Sequence, residues 1–201
     1  MIPYRELTRE ELTLLRRSFD HWGIFDFVLD KEILIREKRY NGTTIKEVYL
    51  TTKDNSKFLS ENTSLSHIGM LIGHLKRRSF VPSMAGADLI SRVGVNFPYV
   101  TVNQTAEALV LYGRDIMYAS VVDYRDLCKN NTIVIILNEK RVAIGLGITT
   151  VPVDKNSQIV DNRIVIKTIV DSGNYLRNER CKDRGMERNK RTRQKREEPL
   201  S

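Results

Sequence analysis

Residues 99–149 constrain the fold more than any other stretch of this chain. The run YVTVNQTAEALVLYGRDIMYASVV leads into a charged turn and then into TIVIILNEKRVAIGLGIT. Short β-branched runs bounded by turn residues are strands, and the Ala/Leu-rich stretch Ala106–Leu111 suits a short helix. The order is therefore strand, short helix, a Gly113-Arg114-Asp115 loop, then two apolar strands. Gly145 and Gly147 interrupt the last of these, which in a strand signals a bulge or a close approach of backbone. Together these features describe a β-rich unit.

Hydrophobic residues make up 41% of the 201, enough for a folded core. The 33 Lys and Arg outnumber the 25 acids, and the surplus is uneven. Residues 178–201 hold nine basic and five acidic side chains, half of the net charge of +8. That stretch has almost no large apolar residues and is expected to be a disordered basic tail. The remaining body is mildly basic, so an anion-binding face has to come from local clustering. Cys128 and Cys181 match neither a disulfide framework nor a zinc pattern, which suits a reducing compartment. No apolar run nears the ~18–20 residues that span a bilayer, and no signal-peptide layout opens the chain. A soluble cytoplasmic protein is expected, nucleolar or nuclear if the cell is eukaryotic, with no membrane partner.

Thr8-Arg-Glu-Glu11 forms a capping box, and Leu12, Leu15, Phe19 and Trp22 follow at helical spacing up to Gly23. Trp22 reads as the end of the buried stripe. Strands are expected at Phe25–Leu29, Glu32–Arg36 and 45–51, with Asn41-Gly42 as a hairpin turn and Arg36–Arg39 at its solvated tip. A short helix is expected at 57–62 and a glycine-interrupted strand, or strand pair, at Ser66–Leu75, before Lys76-Arg77-Arg78. A helix should follow Pro82 over 83–92. Gly94 and Pro98 then mark a boundary between residues 1–95 and 96–177.

No catalytic constellation emerges. His67 and His74 sit seven apart, on opposite faces of a regular strand, and read as structural. Gly69-x-x-x-Gly73 and Gly145-x-Gly147 lack a phosphate-loop ending. Asp115, Asp123 and Asp126 suit loop capping. The expectation is a non-enzyme with no cofactor and no metal.

The binding residues are basic. Arg114 follows Gly113, where backbone is accessible, and its guanidinium can grip phosphate in two places. In strand 163–169, Arg163, Val165, Lys167 and Ile169 share one face by alternation, which sets the two cations about 13 Å apart. Asp171 is expected to cap a last short helix carrying Tyr175, Leu176 and Arg177.

The order and glycines of residues 99–149 resemble the PUA domain, a small β-barrel that binds RNA. With Ile68–Leu75 closing the first unit and Asp171–Arg177 the second, residues 7–177 resemble the Nip-seven family of archaeal and eukaryotic ribosome-biogenesis proteins. The resemblance implies an α+β fold, with an N-terminal α/β pre-PUA domain and a C-terminal PUA-like β-barrel. It further implies a non-catalytic, RNA-binding factor in large-subunit maturation. Its partners would be pre-rRNA and ribosome-assembly proteins, and a monomer is favoured. Arg114, Arg163, Lys167 and Arg177 are the expected RNA contacts. Ile164 and Val170 stand where more basic side chains are expected in relatives, and the tail would supplement that thinner patch. Two alternatives stay open on the residues alone, an accessory subunit of an RNA-modifying enzyme and a protein-interaction scaffold.

Overall fold

Thr8 starts the first helix (α1, Arg9–His21) with both halves of the capping box in place: its hydroxyl accepts from Glu11 N–H, and the Glu11 carboxylate accepts from Thr8 N–H. Gly23 stops the helix at φ +64°. Leu15, Phe19 and Trp22 are fully or almost fully buried, so Trp22 belongs to the core, whereas Leu12, expected in the same stripe, is exposed. The structure, a computed structural model, describes residues 4–40, 42–55, 68–76, 79–127, 129–153 and 162–174. The helix expected at 57–62, His67, Arg77, Arg78, both cysteines, residues 175–177 and the tail 178–201 lie outside them.

The segment after Gly23 is not a strand. Phe25–Val28 forms a short helix (α2), because Ile24 and Val28, four apart, are both buried, and helical spacing seats both in the core. A five-stranded antiparallel sheet follows, in the spatial order β1 (Tyr4–Arg5), β2 (Glu32–Tyr40), β3 (Thr43–Thr51), β4 (Met70–Lys76), β5 (Ser79–Pro82). Tyr40 pairs with Thr43, so the chain reverses at 41–42, where Gly42 has φ +76°. β4 begins only after Gly69, four residues later than the apolar run suggested, and β5 was not anticipated. Ser83 caps the next helix (α3, Met84–Val93), as expected after Pro82.

The second sheet has six strands in the order β7 (Ile116–Met117), β11 (Ile164–Asp171), β10 (Ala143–Thr149), β9 (Ile133–Leu137), β6 (Tyr99–Val102), β8 (Val121–Arg125). Its helix is α4 (Gln104–Leu111), capped by Asn103. The two outermost strands, β7 and β8, are joined by the three-residue 3-10 turn Tyr118–Ser120. That link reaches at most about 14 Å, whereas five flat strand spacings need about 24 Å. The sheet therefore curls until its edges nearly meet, which gives a barrel-like body, the fold expected of the second unit.

β9 reads IVIIL because both of its faces are covered. Val134 and Ile136 point into the barrel with Val100, Ala106, Ile116 and Val165. Ile135 and Leu137 face the other way, into a core shared with Trp22, Ile72 and Ile90 of the N-terminal half. The two sheets are thus packed through one continuous apolar cluster.

Two ionic clusters tie down the edge strand β1. Arg5 donates to both Glu11 oxygens at 2.8 Å and to Glu37 at 2.6 Å, and Lys46 reaches Glu11 at 2.7 Å. Arg36 is not a solvated hairpin residue. It pairs with Glu47 at 2.8 Å and lies over the rings of Tyr4 and Tyr49. Only Lys38 and Arg39 of that group are fully exposed. The bonds from Arg5 hold the Glu11 carboxyl well below the usual range against the opposing effect of burial, with Lys46 and Thr8 N–H adding to them. Burial pushes Glu47 up, but hydrogen bonds from Arg36 and Tyr49 outweigh it and its pKa is lowered. Burial also keeps His74 neutral to lower pH than usual. All three groups bind protons more readily when unfolded, so stability falls with pH in each case. Glu11 and Glu47 favour the fold above their unfolded pKa and lose that contribution on acidification. His74 adds nothing above its unfolded pKa and an increasing penalty below it, as the unfolded chain takes up the proton. The thermal midpoint is expected to decline gently below about pH 6.5, as His74 protonates, and steeply below about pH 4.3, as Glu11 and Glu47 do. In Glu11→Gln the midpoint should be lower at neutral pH and the steep limb shallower. Thermal melts across this pH range check both statements, and a parallel shift of the whole curve contradicts them.

Candidate nucleic-acid interface

The interface is built from the exit of α4 and the β7–β11 edge. Asn103 fixes the start of α4 by accepting from Ala106 N–H at 2.9 Å. The helix ends at Tyr112, and Gly113, at φ +73°, turns the chain away from it. Two backbone bonds close the turn, from Gly113 to Val110 and from Arg114 to Leu109. The Gly113–Asp115 loop is then fastened to β11 at one residue. Thr168 Oγ1 donates to the Arg114 carbonyl at 2.8 Å, and Thr168 N–H donates to Asp115 Oδ1 at 2.9 Å. Asp115 therefore caps a loop, in keeping with its spacing in the sequence. Asp123, by contrast, caps no loop: it lies within β8, where its side chain accepts from Tyr99 Oη at 2.7 Å and pairs with Arg141 at 3.6 Å.

At the other end of this edge Tyr118 N–H donates to the Arg163 carbonyl at 2.9 Å. Between the two fastenings Met117 lies opposite Ile164 and Ile116 opposite Ile166. Arg114 is thus held beside Thr168, next to Lys167, and Arg163 sits at the far end of the same two-stranded edge. All three side chains are exposed. No described acid forms an ion pair with any of them. Exposed Met117 and Ile164 lie between the cations and add apolar surface. Arg177, the fourth expected contact, lies outside the described residues.

Simple alternation does not place Arg163 and Lys167. Arg163 precedes β11, and Val165 and Ile166 are both fully buried, which no regular strand allows for adjacent residues on a one-sided sheet. The cause is irregular pairing on both sides of β11. Its register shifts between Ile164 and Ile166 against β7, and β10 shifts against it between Leu146 and Gly147. Such bulges bend a strand and increase its twist, as curling into a barrel requires. Gly147 serves the same end, since a Cβ there would stand 2.3 Å from Ile166 Cγ2. The glycine pair expected to mark close backbone approach does so. The helix expected to follow Asp171 with Tyr175, Leu176 and Arg177 lies outside the described residues. Asp171 itself ends β11 opposite Gly145 and is buried, and the chain turns at Ser172–Gly173.

A curled β-sheet carrying one short helix and a glycine-fastened loop, behind a five-stranded pre-domain, is matched by two family models. Residues 4–84 match the NIP7/UPF0113 pre-PUA domain, and residues 98–180 match the UPF0113 PUA domain. The chain belongs to the NIP7/UPF0113 family. Its second half is a PUA domain, a fold that points to RNA as ligand. A UPF0113 protein of Archaeoglobus fulgidus is 29% identical over 179 residues, 89% of this chain and 97% of its own length. Among solved structures, a conserved PUA domain protein of Thermoplasma acidophilum superposes with a TM-score of 0.59 at 14% identity, over 85% of this chain and 94% of that one. A PUA domain protein of Aeropyrum pernix, solved with tartrate, gives 0.57 at 13% identity, over 86% and 88%. At these identities the likeness is one of fold.

Sequence reasoning missed the Thr168 fastening, which positions Arg114. The only signal was a threonine in a strand, and nothing local says which loop such a hydroxyl will meet.

Proposed function

We propose that the protein binds RNA along the β7–β11 edge, without catalysis, as a factor in large ribosomal subunit assembly acting on pre-rRNA. The observation that carries this reading is the convergence of Arg114, Lys167 and Arg163 on one edge. Backbone and threonine bonds hold their main chains there, while no described acid pairs with their side chains. Cations spaced along an edge with apolar side chains between them can follow a sugar-phosphate chain without reading its bases. Membership of the NIP7/UPF0113 family supports the ribosomal context, with assembly proteins as further partners and the cytoplasm or nucleolus as the site of action. Arg177 and the basic tail would add contacts to the same strand.

Titration of single-stranded RNA against salt tests this reading. Three phosphate contacts give a log–log slope of about −2, and alanine at Arg114, Arg163 or Lys167 should each reduce it by about 0.7. Removal of residues 178–201 should flatten it further. A slope near zero for the intact protein rejects the RNA reading. Crosslinking in cells that recovers only mature or non-ribosomal RNA rejects the pre-rRNA assignment and leaves RNA binding intact.

A further inference from the structure

We infer that the RNA path does not end at the β7–β11 edge but crosses the second sheet into a basic groove along α1, so that both halves of the chain hold one strand. This rests on the RNA-binding reading above and extends it to a second site. The groove has a volume of about 930 Å³ and lies between α1, the start of β5 and Asn131–Ile133 at the head of β9. Arg9, Thr13, Arg17 and His21 stand four residues apart on α1 and all line it. At 1.5 Å per residue, Arg9 and Arg17 are about 12 Å apart along one face. Both arginines are exposed, and no described acid pairs with either, whereas Arg5 and Arg36 of the same unit are neutralised by Glu11, Glu37 and Glu47. The aromatic floor, Trp22 and Phe80, is almost wholly buried and offers little for a base to stack on. Glu10, Leu14 and Ile133 also line the groove, so it is partly apolar and its charge is a small positive excess, with the Arg9 and Arg17 guanidinium groups and the hydroxyls of Thr13, Ser79 and Thr132 available to a phosphodiester backbone.

Strand register connects it to the proposed RNA edge. Ile133, which lines the groove, is paired with Ile148, and Ile148 is paired with Lys167. Residues directly opposite each other share a face, so Ile133, Ile148 and exposed Lys167 form one row across three strands. Two strand spacings separate its ends by about 10 Å. Lys129, exposed, lies near the end of these strands, its carbonyl accepting from the buried Thr149 Oγ1 at 2.5 Å. A strand leaving Lys167 along this row reaches the groove at Ile133 and then the α1 arginines, with Glu10 the acidic side chain it meets there.

The test compares the full chain with Arg9→Gln/Arg17→Gln and with Arg163→Ala/Lys167→Ala, on single-stranded RNAs of about 4 and about 16 nucleotides, the range of known site sizes. Glutamine keeps the charge-free helix stable, and unchanged melting verifies the fold. The α1 variant is expected to bind the short RNA like the parent and to reduce the salt slope on the long RNA by about 1.4. Long RNA carrying 4-thiouridine should crosslink to α1 peptides. If the α1 variant leaves the long-RNA slope unchanged, or weakens both lengths equally, the extended path is overturned, and the edge reading survives so long as Arg163→Ala/Lys167→Ala still weakens binding. If the α1 variant instead loses binding to polyglutamate with RNA binding intact, the groove serves an acidic protein segment and the inference is equally overturned.

Discussion

Replacing Arg36 by alanine is expected to destabilise the protein by about 3 kcal/mol, the lower end of the range for removing one partner of a buried ion pair. Its guanidinium donates to Glu47 through Nε at 2.9 Å and to Tyr49 Oη through Nη2 at 2.6 Å. It also reaches Tyr4 Oη at 3.3 Å, and Tyr4 Oη in turn accepts from Ile68 N–H. The Arg36 and Glu47 side chains are 15% and 10% exposed, so the abandoned carboxylate would find little water. For a chain of this size the thermal midpoint should fall by about 6–12 °C. Lysine should not rescue it, because a point charge cannot serve Glu47 and Tyr49 together while lying flat between two rings. A paired Arg36→Met/Glu47→Leu variant should recover most of the loss, since it leaves no charge buried. Melts of the three variants decide the matter, and a fall of under about 1 kcal/mol for alanine would place Arg36 among ordinary surface pairs.

The second large effect reverses what helix propensity suggests. Alanine is favoured over glycine inside a helix by about 1 kcal/mol, so Gly86→Ala should stabilise α3 taken alone. In the fold it should destabilise by about 2–3 kcal/mol, the upper part of the usual cost of overpacking. A Cβ at residue 86 would stand 1.9 Å from the Ile72 carbonyl oxygen. That oxygen already accepts from Ser83 N–H at 2.9 Å, and Ser83 Oγ anchors the same turn by donating to Leu71 O at 2.6 Å. Helix and strand are therefore fastened main chain to main chain, and no side-chain truncation on β4 can make room. α3 would have to lift, drawing Ala87 and Ile90 out of the shared core. The midpoint should drop by about 4–12 °C, and Gly86→Val should drop it further. A rise for Gly86→Ala would mean that α3 does not sit against β4 as described.

Much of the architecture was legible because it is encoded within short windows. The Thr8–Glu11 capping box, the Leu15–Phe19–Trp22 stripe, the helix after Pro82 and the strand–helix–loop–strand order of residues 99–149 all follow from spacing or turn chemistry. The misreadings share one cause. Phe25–Leu29 has the composition of a strand, but Ile24 and Val28 are both claimed by the core. Arg36 looked like a hairpin tip until the aromatic rings of β1 and β3 closed over it. Among the site residues, Arg114 could be found from its place after a glycine exit. The relation of Arg163 to Lys167 could not, because alternation presumes an unbroken ladder and β11 is bulged on both sides.

The sequence by itself determined the elements, the family likeness and the excess of basic charge, since these depend on neighbours within a few residues. Only the tertiary structure decided which cations stand together. Thr168 bonding to the loop at Arg114, and the register row from Lys167 through Ile148 to Ile133, join residues far apart in the chain. A hydrogen-bonding hydroxyl or a strand register is selected by the partner that arrives across the fold, and no local window contains that partner.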